Sequence, residues 1–182
     1  MSKKIIIIAG DPNSINSEII YKSWKKIKPS LKKKIYFLAN YKLLSEQFKI
    51  LGYPAKLIEV KNINKALGFD KLKIINVNVK FKDPFNVSKK EASSLVIKSL
   101  NCGHQLGLNR NVKGIINCAI NKNLFKKKKI GVTEYLASKC NVKDNSEAML
   151  IKSKHLSVSP ITTHIDIKDV SKVLKSGWLT HG

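Results

Sequence analysis

The loop after the first apolar run has residue types that could bind a ligand. Gly10 is followed by Asp11, Pro12 and a series of small polar residues ending at Ser17. If a helix starts after this loop, its free backbone N–H groups could receive an anion, and Asp11 would belong to a polar rim. The alternative is a tight turn in which Asp11 accepts hydrogen bonds from its own backbone. The glycine spacing of nucleotide-binding loops is absent here, so both interpretations stay open.

The three cysteines do not form a recognisable metal or redox motif. Cys102, Cys118 and Cys140 are odd in number and lack the C-x-x-C spacing of a zinc site or a redox dithiol. We therefore predict a reducing, cytoplasmic location. The apolar run of residues 5–9 is too short to span a bilayer or to form a signal-peptide core, so no membrane partner is expected.

The net charge of +23 at pH 7 raises nucleic acid as a partner. Arg110 is the only arginine, however, whereas proteins that read bases or grip phosphates favour the guanidinium group. Lysine, isoleucine and asparagine all have A/T-rich codons and are abundant, which suggests that genome composition set much of the charge. Nucleic-acid binding is kept only as an alternative, and the lysine runs are interpreted as solvated faces and loops.

Apolar periodicity predicts an alternation of strands and helices. Predicted strands cover residues 5–9, 35–39, 57–60, 74–79 and 112–119, with further candidates at 148–152 and 157–162. Three helices are predicted to follow the N-cap candidates Ser17, Ser88 and Asp166. Another is predicted to end at Gly52, and another to start at Thr133.

This order predicts an α/β protein with a mostly parallel sheet and helices on both faces. The strand at 74–79 alternates apolar residues with asparagine, which predicts a half-exposed or edge position. Folds of this kind bind ligands beyond the carboxyl ends of their strands, where the loop of residues 10–17 is expected to lie.

Four stretches carry a family resemblance. They are G-D-P-x-x-I-x-x-E-I from Gly10, N-C-A-I-N-K ending at Lys122, G-V-T-E-Y-L-A from Gly131, and T-T-H-I-D-I-K-D-V from Thr162. In this order they resemble G-D-P-A-G-I-G-P-E-I, T-A-P-I-N-K, G-H-T-E-F-L-A and T-T-H-I-P-L-K-D-V of the 4-hydroxythreonine-4-phosphate dehydrogenases of pyridoxal phosphate biosynthesis.

The resemblance implies a fold like that of the isocitrate and isopropylmalate dehydrogenases. It also implies oxidation of 4-phosphooxy-threonine by NAD or NADP, followed by decarboxylation. A divalent metal (zinc, magnesium or cobalt) would be held by three histidines from the two subunits of a homodimer. A Lewis acid at the hydroxyl fits that chemistry, because it stabilises the negative oxygen that develops.

Three residues take roles from the resemblance. His164 corresponds to the first metal-ligand histidine, and Thr133 and Lys122 correspond to substrate-binding positions. Taken alone, His164 could be a capping or core imidazole, Thr133 a plain N-cap, and Lys122 one more exposed lysine. Catalytic and cofactor-binding residues are not assigned.

The sequence also departs from the family pattern. Val132 replaces a substrate-binding histidine and cannot form its hydrogen bonds. Ser14 and Asn16 replace glycines, which would cause strain if those positions need positive φ.

Family enzymes are nearly twice as long as this chain. We therefore expect an amino-terminal portion, with residues 1–120 as the first lobe, 121–182 as an incomplete second lobe, and the carboxy-terminal half missing. Such a chain is expected to be inactive alone. A non-catalytic binding protein that keeps the fold is the alternative.

Overall fold

The computed structural model describes residues 3–63, 68–125, 131–140, 148–160 and 166–173. The chain divides into two compact units, Met1–Cys140 and Asn141–Gly182. Each unit is described by itself.

The first unit alternates strands with helices, as the sequence predicts. Its strands are β1 (Lys4–Ile8), β2 (Ile35–Ala39), β3 (Lys56–Glu59), β4 (Lys71–Asn76) and β5 (Val112–Asn117). Its helices are α1 (Asn16–Lys26), α2 (Pro29–Lys32), α3 (Tyr41–Ile50), α4 (Lys89–Gly107) and α5 (Val132–Ala137), with a 3₁₀ turn at Lys122–Leu124 between β5 and α5.

The five strands form one parallel sheet in the order β3-β4-β2-β1-β5. This confirms the predicted α/β class. For the strand at 74–79 the sequence predicts a half-exposed or an edge position. The edge position is wrong, because β4 lies between β3 and β2, whereas Ile75 and Asn76 are indeed half-exposed. The strand starts earlier, at Lys71, and its residues 72–74 are buried. The alternating asparagines that suggested an edge lie at and beyond its carboxyl end.

Helices cover both faces of the sheet, as predicted. The alternation within β2 separates the two apolar clusters: Tyr36 and Leu38 lie in one, and Ile35 and Phe37 lie in the other. Helix α4 packs into the first cluster through Ala92, Leu95, Val96 and Leu100. Helices α1 and α3 pack into the second through Ile20, Trp24, Leu44 and Phe48. Burying large apolar side chains on both faces is what drives a parallel sheet to this layered arrangement.

The predicted N-cap at Ser88 and the predicted helix end at Gly52 are confirmed. The Ser88 hydroxyl accepts a hydrogen bond from Glu91 N at the start of α4, and Gly52 follows α3 with φ of +66°. The predicted N-cap at Ser17 is wrong. Helix α1 starts earlier, the N-cap position is Ile15, and Ser17 is buried within the first turn.

A buried lysine joins β4 to the end of α2. The Lys73 side chain is fully buried, and its Nζ donates to the carbonyl oxygens of Lys32 and Lys33 at 3.0 and 2.8 Å. It also lies 4.7 Å from the centre of the Tyr36 ring. Burial, followed by the charge of Lys4, lowers the pKa of Lys73 to about 8. The lysine thus satisfies carbonyl groups that a helix end leaves unpaired.

The segment after β5 packs against α4 within the first unit. The Tyr135 hydroxyl of α5 donates to Asn101 Oδ1 of α4 at 2.8 Å, and the Tyr135 and Phe125 rings lie 5.7 Å apart. The first compact unit ends at Cys140 in the sequence, and the division near residue 120 into lobes of a longer enzyme stays a prediction.

The second unit contains an antiparallel hairpin, β6 (Ile151–Lys152) with β7 (Ser157–Val158), and helix α6 (Ile167–Val173). These strands are shorter than the candidates predicted at 148–152 and 157–162, and residues 161–162 lie outside the described part of the chain. Within the described residues of both units, no helix has the length and apolar content needed to cross a membrane.

Candidate functional site

The loop between β1 and α1 lies at the carboxyl edge of the sheet and requires glycine at its first position. Gly10 has φ of +79°. A Cβ atom there would lie 2.5 Å from the carbonyl oxygen of Ala119 and 2.7 Å from Asn16 Nδ2. Both the backbone conformation and the close approach of the segment after β5 therefore exclude a side chain.

Asp11 forms the tight turn, which is the second of the two interpretations drawn from the sequence. Its Oδ1 accepts a hydrogen bond from Asn13 N at 2.9 Å, and its backbone N–H donates to the Ala119 carbonyl oxygen at 3.0 Å. The side chain is buried. A buried carboxylate next to the start of α1 also disfavours an anion at that helix end, because like charges repel.

Asparagines tie this loop to two distant segments. Asn16 Oδ1 accepts from Ala119 N at 3.2 Å, and Asn16 Nδ2 donates to the Ala119 carbonyl oxygen at 2.7 Å. Asn13 pairs in the same way with Val87, with both N···O distances 2.8 Å. Asn16 is the first residue of a right-handed helix, so the strain expected from replacing a glycine does not arise at that position.

A small pocket lies between this loop and α3. Its volume is about 20 Å³, and Asp11, Ser17, Asn40 and Gln47 contribute its polar lining. Gln47 closes it from one side, with Nε2 donating to the carbonyl oxygens of Pro12 and Pro84 at 2.8 and 2.7 Å. The space suits about one water molecule, so this pocket does not hold a phosphorylated amino acid.

The two predicted substrate-binding residues lie after β5, in the segment that leads to α5. Lys122 starts the 3₁₀ turn and is exposed, and Thr133 is the second residue of α5 and is also exposed. The Cε atom of Lys122 lies 3.9 Å from the position that a Cβ atom would take on Gly131. The lysine side chain therefore reaches the start of the helix that carries Thr133.

The start of α5 is capped by groups other than Thr133. Gly131 occupies the N-cap position, and its backbone N–H donates to Glu134 Oε2 at 2.8 Å. Thr133 is therefore not a plain N-cap, which removes the structural alternative for that residue. Val132, which stands where the family has histidine, is half-buried and packs against the cluster that includes Leu95.

His164 lies in residues 161–165, outside the described part of the chain, so its predicted metal role stays a prediction. Among the described residues, no group of three or more histidine, cysteine, aspartate or glutamate side chains could hold a metal ion. The described residues therefore offer no donor set for the divalent metal that the resemblance implies.

Comparison with known families agrees with this architecture. The family model described as "Pyridoxal phosphate biosynthetic protein PdxA" matches residues 30–181. The chain belongs to the PdxA family.

Individual relatives give the extent of the match. The 4-hydroxythreonine-4-phosphate dehydrogenase of Sulfurihydrogenibium sp. is 31% identical over 173 residues, which cover 92% of this chain and 51% of that protein. The Aquifex aeolicus enzyme of the same name is also 31% identical, over 96% of this chain and 54% of that protein. The chain therefore spans about half the length of the curated relatives it matches.

Solved structures share the fold. The 4-hydroxythreonine-4-phosphate dehydrogenase of Klebsiella pneumoniae superposes with a TM-score of 0.82 at 25% identity, over 95% of this chain and 55% of that one. The Burkholderia phymatum enzyme gives a TM-score of 0.84 at 22% identity, over 98% of this chain and 55% of that one. The latter likeness shows the fold alone.

Sequence reasoning missed the residues that organise this edge of the PdxA fold. The sequence marks Asn16 only as a departure from the family pattern and gives Asn13 no role, yet each makes paired hydrogen bonds with a backbone more than 70 residues away. The available signal was chemical: an asparagine offers both a donor and an acceptor, which the alanine or glycine at those family positions lacks.

Proposed function

We propose that this chain forms the substrate-binding part of a 4-hydroxythreonine-4-phosphate dehydrogenase of pyridoxal phosphate biosynthesis. The reaction is oxidation of 4-phosphooxy-threonine by NAD or NADP, followed by decarboxylation. The proposal includes a cytoplasmic location, a homodimer for the full-length protein, and a divalent metal (zinc, magnesium or cobalt) with His164 as a ligand. No step is assigned to the metal, because the described residues do not form its site.

The observation that carries the proposal is the approach of Lys122 to the start of α5. Two residues from separate motifs, Lys122 and Thr133, belong to adjoining segments after the carboxyl end of β5. An exposed ammonium group and an exposed hydroxyl group suit an anionic substrate: the ammonium attracts a phosphate or carboxylate, and the hydroxyl donates a hydrogen bond to it. Ligands of parallel α/β sheets bind at this edge.

Calorimetric titration with 4-phosphooxy-threonine tests the proposal. We expect the chain to bind this compound, and we expect Lys122→Met and Thr133→Val each to weaken binding about tenfold, since one hydrogen bond to a charged group contributes at least 1.4 kcal/mol. Lys113→Met is the matched control, because Lys113 is an exposed lysine on β5 before its carboxyl end. Absence of binding, or equal weakening by the Lys113 substitution, would refute the assignment.

The second candidate is a non-catalytic binding protein that keeps the fold. The packing of Val132 against the core favours it, because an apolar side chain stands where the family has a polar substrate-binding group. A thermal-shift screen separates the two candidates. Preference for 4-phosphooxy-threonine over phosphothreonine, which lacks the free secondary alcohol, supports the dehydrogenase site, whereas equal shifts with both compounds support a general binder of phosphorylated amino acids.

A further inference from the structure

A thiol and an imidazole form a pair on the surface of the first unit. The Sγ atom of Cys140 lies 3.4 Å from Nε2 of His104. Cys140 is exposed and follows α5, while His104 is half-buried in the last turn of α4. The hydrogen bond from Tyr135 to Asn101 holds α5 against the same half of α4, so the pair has a fixed backbone on both sides.

The acidic side chains of α4 and α5 are bonded away from this pair. Glu134, the acid of α5, is bonded to the Gly131 N–H at the opposite end of its helix. Glu91, the acid of α4, lies in the first turn of α4 and accepts from Lys80 N. The carbonyl end of a helix favours a positive charge, and His104 lies in the last turn of α4, where it can hold a proton.

The other two cysteines lie in different surroundings. Cys102 and Cys118 are half-buried, and burial raises the pKa of both thiols. A raised pKa keeps these thiols protonated near neutral pH, and a protonated thiol is a poor nucleophile. Cys102 and Cys118 therefore serve as internal controls for the reactivity of Cys140.

We propose that Cys140 is a reactive thiol, activated by His104, that forms mixed disulfides with low-molecular-weight disulfides. His104 Nε2 accepts the thiol proton, and the sulfur attacks one sulfur of the small disulfide. A new S–S bond forms as the old one breaks, and the departing thiolate takes the proton. Cys140 is oxidised while the small disulfide is reduced, so the step needs no other oxidant.

Oxidised glutathione is a suitable probe, with the full chain as substrate and mass spectrometry of the peptides as the measurement for each cysteine. We expect Cys140 to be modified about tenfold faster than Cys102 or Cys118 at pH 7. His104→Asn removes the proton acceptor and slows modification of Cys140 by about tenfold. Gln105→Asn, at an exposed position on the same helix, leaves the rate unchanged.

Two results would overturn the proposal. If the three cysteines react at similar rates, Cys140 has no special reactivity; if His104→Asn reacts as fast as the unmodified chain, exposure alone explains the rate. Faster modification of Cys102 and Cys118 in the His104 variant would reveal unfolding. In that case the pH profile of the unmodified chain decides, because a Cys140 rate that keeps rising tenfold per pH unit up to about pH 8.5 is that of an ordinary thiol.

Discussion

Asn16 and Ala119 are joined by two hydrogen bonds between elements that are 103 residues apart in the sequence. The side-chain amide of Asn16, at the start of α1, bonds to both the N–H and the C=O group of Ala119, as a residue of a neighbouring strand would do. The first helix and the segment after β5 are therefore held together where the sheet ends, which is also the edge from which Lys122 and Thr133 extend.

Replacing Asn16 by alanine is predicted to destabilise the first unit. The substitution removes both hydrogen bonds of the buried Asn16 to Ala119, although the Ala119 carbonyl oxygen keeps the bond from Asp11 N. We expect a loss of about 2 kcal/mol in the free energy of unfolding, at about 1 kcal/mol for each bond. Urea denaturation measures it. Asn123→Ala is the control at an exposed asparagine and should change stability by less than about 0.5 kcal/mol. Similar losses in both variants would contradict the structural role given to Asn16.

Alanine substitutions at Gly10 and Gly52, which both have positive φ, test backbone strain and steric contact separately. Gly52→Ala adds a methyl group in open space, so only the strain of the left-handed conformation should lower the free energy of unfolding, by about 1 kcal/mol. Gly10→Ala adds the same strain and also places a Cβ 2.5 Å from the Ala119 carbonyl oxygen, so we expect a loss of about 3 kcal/mol or more. Thermal unfolding of the two variants gives the comparison. Equal melting temperatures would show that Gly10 is not in close contact.

Local sequence signals predict the α/β class and most elements of this fold because their causes are local. The Ser88 cap, the apolar stripe of α3 and its Gly52 terminus depend on neighbouring residues only. The interior position of β4 and the paired bonds of Asn13 depend on which segments meet in the folded protein, and no periodicity contains that information. The candidate site divides in the same way, because family motifs indicate Lys122 and Thr133, whereas the Cys140 and His104 pair depends on the packing of α5 on α4.

The contact between α5 and α4 is testable by a double-mutant cycle. Tyr135→Phe removes the hydroxyl that donates to Asn101, and Asn101→Ala removes the acceptor. We expect each single change to lower the free energy of unfolding by about 1 kcal/mol, and the double change to cost about 1 kcal/mol less than the sum. Additive losses would mean that these side chains do not interact, and that other contacts hold α5 against α4.

The lowered pKa of Lys73 is expected to make its contribution to the free energy of unfolding rise with pH. Its pKa is about 8 in the folded protein and 10.5 in the unfolded chain, so between these values the unfolded state holds one more proton. Raising the pH through this range therefore favours the folded state, by up to about 1.4 kcal/mol per pH unit. Below pH 8 the lysine is charged in both states and contributes no slope. Tyr36, Cys102 and Cys118 act in the opposite direction, because burial raises the pKa of each of these groups. The contribution of Lys73 is therefore measured as the difference between the unmodified chain and a Lys73 variant between about pH 8 and 9.5.

The comparison that isolates Lys73 uses two lysines of the same strand. Lys73→Met removes the titrating group while keeping a long side chain in the core, so between pH 8 and 9.5 the free energy of unfolding of this variant should rise less, or fall more, with pH than that of the unmodified chain. Lys71→Met, at an exposed position two residues earlier, should keep the pH dependence of the unmodified chain. Urea denaturation at several pH values gives the three curves. Parallel curves for the unmodified chain and the Lys73 variant would mean that the buried ammonium keeps an ordinary pKa, and that its bonds to the Lys32 and Lys33 carbonyl oxygens fully replace its hydration.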